Sequence, residues 1–201
     1  QTLALSEKML GLEHPATLIS MSNLALVLDS QGKYEKAESM NRQTLALSEK
    51  VLGFEHPSTL TAMSNLALVL DRQGKYEEAE SMNRQTLALK EKMLGLEHPD
   101  TLMSVYCLAH LLANRHCYNE SLLLYERAYA AYITVLGKEH PTTRACCQHY
   151  SELLALQKHD RSFWPSKLAD DHGGSRQTVK ESKLSRGLAK ISIRTSKLFP
   201  M

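Results

Sequence analysis

A period of 42 residues, held four times, constrains this chain more than any other feature it has. Residues 1–42 and 43–84 are identical at 35 of 42 positions without a gap. The seven differences are Met9/Val51, Leu12/Phe54, Ala16/Ser58, Ile19/Thr61, Ser20/Ala62, Ser30/Arg72 and Lys36/Glu78. Residues 85–126 keep the register with 19 matches to the second copy, and a partial fourth copy starts at Arg127. A Gly-x-Glu-His-Pro marker recurs at 11–15, 53–57, 95–99 and 137–141. Such a repeat is one supersecondary unit that cannot bury its apolar faces alone, so it must stack on its neighbours.

Each period predicts two helices. In the second copy, Pro57 suits a first helical turn, where its missing N–H costs nothing. Leu60, Met63, Leu66, Ala67 and Leu70 then follow helical spacing, and Gly74 ends the helix in a left-handed turn. Tyr76 opens a second helix that closes at Gly95. First helices are expected near 16–31, 58–73, 100–115 and 142–157, and second helices near 34–52, 76–94 and 118–136. Residues 1–10 read as the remnant of an earlier second helix, and the start at Gln1 inside the pattern suggests a fragment. Leu, Ala and Met carry the apolar load and aromatics make up only 6%, which favours helix over strand. The expected fold is an all-α solenoid of stacked antiparallel helix pairs over 1–157, in units 1–42, 43–84, 85–126 and 127–157.

Charge divides the chain differently. Residues 1–157 hold 14 Lys/Arg against 18 Asp/Glu, whereas 158–201 hold 10 against 4. The Ser-, Lys- and Arg-rich segment 158–201 breaks the period and is expected to be a disordered basic tail. Its charge alone does not make a nucleic-acid reader, and an unstructured end is preferred. No run of 18 apolar residues predicts a membrane span. The four cysteines form no C-x-x-C pair, which argues for a reducing compartment and a cytoplasmic location.

Asn65-Leu66-Ala67 followed by Gln73-Gly74-Lys75-Tyr76-Glu77-Glu78-Ala79 resembles the tetratricopeptide signature. In that family a small residue of the first helix packs on a small residue of the second. Ala67 and Ala79 take those places, as do Ala25 and Ala37. The 42-residue length with Leu-Gly-x-Glu-His-Pro between pairs resembles the kinesin-light-chain subtype. The near-identical Gln-Thr-Leu-Ala-Leu-x-Glu-Lys-x-Leu-Gly copies are similar to arrays of filamentous-fungal proteins that carry an upstream NB-ARC or NACHT domain. The third and fourth copies depart from the signature, with His116 for Gly, Ser121 for the small Ala, and Tyr150-Ser151 for Leu-Ala. Asn41 and Asn83 stand where the signature prefers a large apolar side chain.

The resemblance implies that first helices line a concave groove for a protein or peptide ligand. Carried over by position, the groove candidates are Ser22, Asn23 and Asp29 in the first copy, Ser64, Asn65, Asp71 and Arg72 in the second, and Tyr106 in the third. Asn23 and Asn65 offer both donor and acceptor to an extended peptide backbone, or alternatively bond between adjacent helices. Asp29, Asp71 and Arg72 either read charge on a partner or form solvated helix ends.

Catalysis, cofactors and metals find no support in the pattern. His14, His56, His98 and His140 recur once per period before proline, in successive loops, and no H-E-x-x-H spacing occurs. They read as helix starts. His110 and His116 near Cys107 and Cys117 straddle a helix end, which suits no zinc site. No catalytic Ser-His-Asp set, phosphate loop or paired carboxylates stand out. The function expected is a protein-interaction scaffold within a larger protein. The alternatives are a kinesin-light-chain-like cargo adaptor, or the regulatory segment of an enzyme or nucleotide switch whose chemistry lies elsewhere.

Overall fold

The computed structural model describes residues 2–163. They form eight helices and no strand: α1 (Thr2–Leu10), α2 (Pro15–Ser30), α3 (Tyr34–Leu52), α4 (Pro57–Arg72), α5 (Tyr76–Leu94), α6 (Pro99–Asn114), α7 (Tyr118–Leu136) and α8 (Pro141–Phe163). The fold is an all-α solenoid of stacked helix pairs. Second helices fall on the expected bounds, and first helices start one residue early, on the proline itself. Most of the basic tail lies outside the described residues. Its first six residues belong to α8, which runs to Phe163 rather than stopping near 157. The reason is local. Gly32, Gly74 and His116 stop the earlier first helices with φ of 73°, 77° and 61°. After Gln157 no glycine or proline intervenes before Pro165.

The marker between pairs is a built helix start. Its glycine takes a left-handed φ, 91° at Gly53, which a side chain would strain. The histidine that follows caps the next helix. His14, His56, His98 and His140 each accept a hydrogen bond through Nδ1 from the backbone N–H two residues on, at 3.1–3.2 Å. One of the helix's orphan donors is thereby satisfied, and proline occupies the next position, where no donor is needed. Thr59 Oγ1 then donates to the Gly53 carbonyl at 2.8 Å, tying the loop to the helix it starts. Thr17 does the same to Gly11.

The chain divides into two compact units, up to Leu111 and from Leu112 on. In the first, each helix packs on the next in the chain from α1 to α5, and α2 also meets α4. The core is built of small residues flanked by larger ones. Ala25, Ala37, Ala67 and Ala79 are fully buried, as are Leu60, Met63, Leu66 and Leu70. In the second unit α7 packs on α8 around Tyr125, Tyr132, Cys146 and Leu153.

Cross-repeat ion pairs run beside this core. Glu38 accepts from Lys75 at 2.7 Å, and Arg42 pairs with Glu78 at 2.6 Å. Lys50 reaches Glu13 at 2.5 Å and Lys92 reaches Glu55 at 2.6 Å. The exposed pairs add little to stability, since solvent screens them. The Lys75 ammonium holds the Glu38 carboxyl below its ordinary range, against a smaller opposing effect of burial.

Asn41 is one of the polar residues in this core. It is buried on α3, and neither atom of its amide has a hydrogen-bond partner among the described residues. The aligned Tyr125 fills the same position with a ring. An unsatisfied buried amide costs about 1–3 kcal/mol. Asn41→Leu keeps the branching and removes the polar atoms. Urea unfolding is expected to show a higher midpoint, with a gain of about 1 kcal/mol or more.

Candidate functional site

The eight groove candidates lie on first helices, but their environments differ sharply. Asn23 on α2 is exposed and Asn65 on α4 is half-buried. Neither amide makes a side-chain hydrogen bond to another described residue. The two occupy the same position one repeat apart, so each of the two duplicated copies carries an amide donor and acceptor there; the third copy has Cys107 instead. Ser22 is half-buried beside Asn23. Ser64 donates to the Leu60 carbonyl at 3.0 Å, one turn back in its own helix.

Asp29 and Arg72 meet each other. Arg72 Nη1 lies 2.6 Å from Asp29 Oδ2, and the side chains are 17% and 5% exposed. The residue that differs between the duplicated copies, Ser30 against Arg72, thus reaches back one repeat to neutralise a buried carboxylate. Burial nevertheless raises the Asp29 pKa above the ordinary carboxylate value, outweighing the opposing pull of the Arg72 charge. Asp71, buried at the aligned position on α4, lies 3.7 Å from His110 Nδ1 on α6. Tyr106 is buried.

A residue that the first two copies do not announce lies against Ser64. Lys90 projects from the second helix α5 and is buried, with Nζ 3.4 Å from Ser64 Oγ and 3.5 Å from the Asp100 carbonyl. Its signal is a change of residue type along the period: the aligned residues are Ser48 and Tyr132. Burial lowers the Lys90 pKa, partly offset by charge from Cys107 and Asp100.

Two of the four thiols are poor nucleophiles. Burial pushes Cys107 up to about 11 and Cys146 up to about 12, so both stay protonated at neutral pH. Among the described residues no group of three His, Cys, Asp or Glu side chains is placed to hold a metal. The same residues contain no helix long and apolar enough to cross a membrane.

A cavity of about 700 Å³ opens in the second unit between α7 and α8, lined by Tyr129, Lys138, Arg144, Cys147 and Gln148 among others. The face of α8 changes character relative to the earlier first helices. Arg144 is exposed where the aligned Leu18, Leu60 and Leu102 are buried, and Ser151 where Ala25, Ala67 and Ala109 are buried. A helix face converted from apolar to polar suits solvent, as at the end of a stack.

The tetratricopeptide repeat model matches residues 17–58, 59–100 and 101–142, three consecutive units of the observed period. The chain belongs to the tetratricopeptide repeat family. No curated protein is similar enough to match it. Among solved structures it is similar to a Podosopora anserina protein described as a kinesin light chain with nearly identical TPR-like repeats. That likeness has 26% identity and a TM-score of 0.64, over 96% of this chain and 83% of the other. A single-residue variant of that protein matches at 26% identity and 0.65, over 97% and 84%. BtubC (BKLC) from P. vanneervenii shares the fold at 18% identity and 0.59, over 83% and 72%. A tetratricopeptide array with kinesin-light-chain-like neighbours is a scaffold of the protein-interaction kind.

The Asp29 carboxylate yields a test of the cross-repeat pair. Its folded pKa is raised, so its contribution favours the fold more as pH falls from neutral through that raised value toward the ordinary value of about 4. The unfolding free energy of the wild type minus that of Asp29→Asn is therefore expected to increase on acidification. Parallel urea titrations between neutral pH and pH of about 4 measure this difference, which cancels the other carboxylates. A flat or decreasing difference would contradict the assignment.

Proposed function

We propose that the array holds an extended segment of a partner protein along its first helices, with Asn23 and Asn65 bonding the partner's backbone. The observation that carries this reading is the pair of amides at equivalent positions, one exposed and one half-buried, without side-chain hydrogen bonds among the described residues. A partner backbone supplies one donor and one acceptor per residue, which matches an amide face repeated along a stack. Ser22 and Ser64 flank the amides. Tyr106, buried on the next first helix, backs the face with its ring. Asp29, Asp71 and Arg72 shape it and set its charge, with Arg72 held in place by Asp29.

The setting we propose is cytoplasmic, which suits four free thiols. A cargo-adaptor role is the second reading, favoured by the kinesin-light-chain description of the Podosopora neighbours. In either case the chain acts by holding a partner, and any upstream nucleotide-binding domain would use it as a sensing arm.

Peptides selected from a random decapeptide library against the whole chain supply the probe. Asn23→Ala together with Asn65→Ala is expected to weaken those peptides about tenfold, since two net hydrogen bonds are worth about 1–3 kcal/mol together. Circular dichroism should be unchanged. Equal affinity in the double variant, or a collapsed helical signal, would move both residues to a structural role.

A further inference from the structure

We infer that the first unit docks on a second copy of this chain, antiparallel and about a two-fold axis, through a ridge of exposed apolar side chains. The ridge is built by second helices and the loops that follow them, whereas the peptide-holding face belongs to first helices.

Each repeat of the unit adds one rung. Met9, Val51 and Met93 stand in the last turns of α1, α3 and α5, and Leu12, Phe54 and Leu96 follow three residues later in the Gly-x-Glu-His-Pro loops. These six are 38–76% exposed and make up more than half of the exposed large apolar side chains in the described part of this unit. Cross-repeat ion pairs fix the rungs side by side. Lys50, next to Val51, reaches Glu13, next to Leu12, and Lys92, next to Met93, reaches Glu55, next to Phe54. Both positions are apolar in all three copies although solvent faces them. Two of the seven differences between the duplicated copies, Met9/Val51 and Leu12/Phe54, exchange one apolar residue for another there. Contiguous exposed apolar surface of this kind marks a contact site.

The symmetry of the ridge names its occupant. A two-fold contact uses the same patch on both copies, so its pattern must read the same from either end. The outer rungs are both Met with Leu, and the middle rung is Val with Phe. An axis through the middle rung sets Phe54 near its own counterpart and lays the first rung of each copy along the third rung of the other. The charges obey the same rule. Lys8, aligned with Lys50 and Lys92, is exposed and forms no ion pair among the described residues. Glu97, aligned with Glu13 and Glu55, is exposed and forms none either, since Thr134 stands where the series would place its lysine. An uncompensated cation thus flanks the first rung and an uncompensated anion the third. The antiparallel axis brings Lys8 of each copy toward Glu97 of the other, whereas a parallel pairing sets like charges together. The six side chains expose on the order of 500 Å² per copy, so their contact buries roughly 1,000 Å², near the lower bound for a specific interface. Association with a Kd on the order of micromolar suits that area.

Sedimentation velocity of the full chain over roughly 1 to 100 μM is expected to show a reversible monomer–dimer equilibrium. Phe54→Glu sets two carboxylates against each other at the axis and should weaken the dimer at least about tenfold. Lys8→Glu and Glu97→Lys should each weaken it about fivefold, and the double variant, which restores opposite charges, should recover the wild-type affinity. A monomer throughout overturns the proposal, as does a dimer that Phe54→Glu leaves intact or an assembly that grows past the dimer with concentration. A double variant no tighter than its parents overturns the antiparallel arrangement. Every substituted side chain is exposed, so circular dichroism should be unchanged. Loss of helicity in Phe54→Glu leaves the decision to the charge exchange, and loss in both sets assigns these residues to the fold and overturns the proposal.

Discussion

The close packing of one helix pair on the next is the interaction from which the rest of this structure follows. A pair of amphipathic helices joined by a three-residue turn cannot cover both of its faces. Alanine at positions 25, 37, 67 and 79 admits close packing of the helix backbones, and all four side chains are fully buried. Once the pairs stack, the Gly-x-Glu-His-Pro segments must turn the chain in little space. The left-handed glycine, the histidine cap and the proline each meet one requirement of that turn. The face available to a partner is what remains after stacking has consumed the others.

Differences between near-identical copies show how charge is fitted to this arrangement. Of the seven substitutions between the first two repeats, Ser30/Arg72 and Lys36/Glu78 place new charges on the second copy. Both reach back to the first, Arg72 to Asp29 and Glu78 to Arg42. The Arg72 pair is shielded and neutralises a buried carboxylate, whereas the Glu78 pair is exposed and energetically minor. Lys90 departs from its aligned neighbours in another way, because no carboxylate of the described stack pairs with it.

Much of the fold is legible in the sequence because helix starts and stops are local. Proline, glycine and the 42-residue period mark α2 to α7 to within a residue. The run of α8 to Phe163 was less legible, because it depends on an absent breaker rather than a present one. For the candidate site, sequence pattern and family resemblance place the eight residues on first helices. They do not say which side chains the stack has already used. Asp29 and Asp71 read equally well as exposed helix ends, and the structure buries both. Lys90 went unread because the comparison of the first two copies, Ser48 and its neighbours, stops one repeat short of it.

The nine-residue stretch Met-Ser-Asn-Leu-Ala-Leu-Val-Leu-Asp occurs identically at 21–29 and 63–71. It forms a helix both times, and Ala25 and Ala67 are buried both times. That much the sequence determined by itself, because helical hydrogen bonds and the pairing of a first helix with its own second helix are short-range. The fate of the other face was decided by the stack. Val27 is 42% exposed and Leu24 half-buried on α2, while Val69 and Leu66 on α4 are 1% exposed. The same residues are core in one copy and surface in the other, because α4 has a preceding first helix against it and burial belongs to neighbours rather than to the residues themselves.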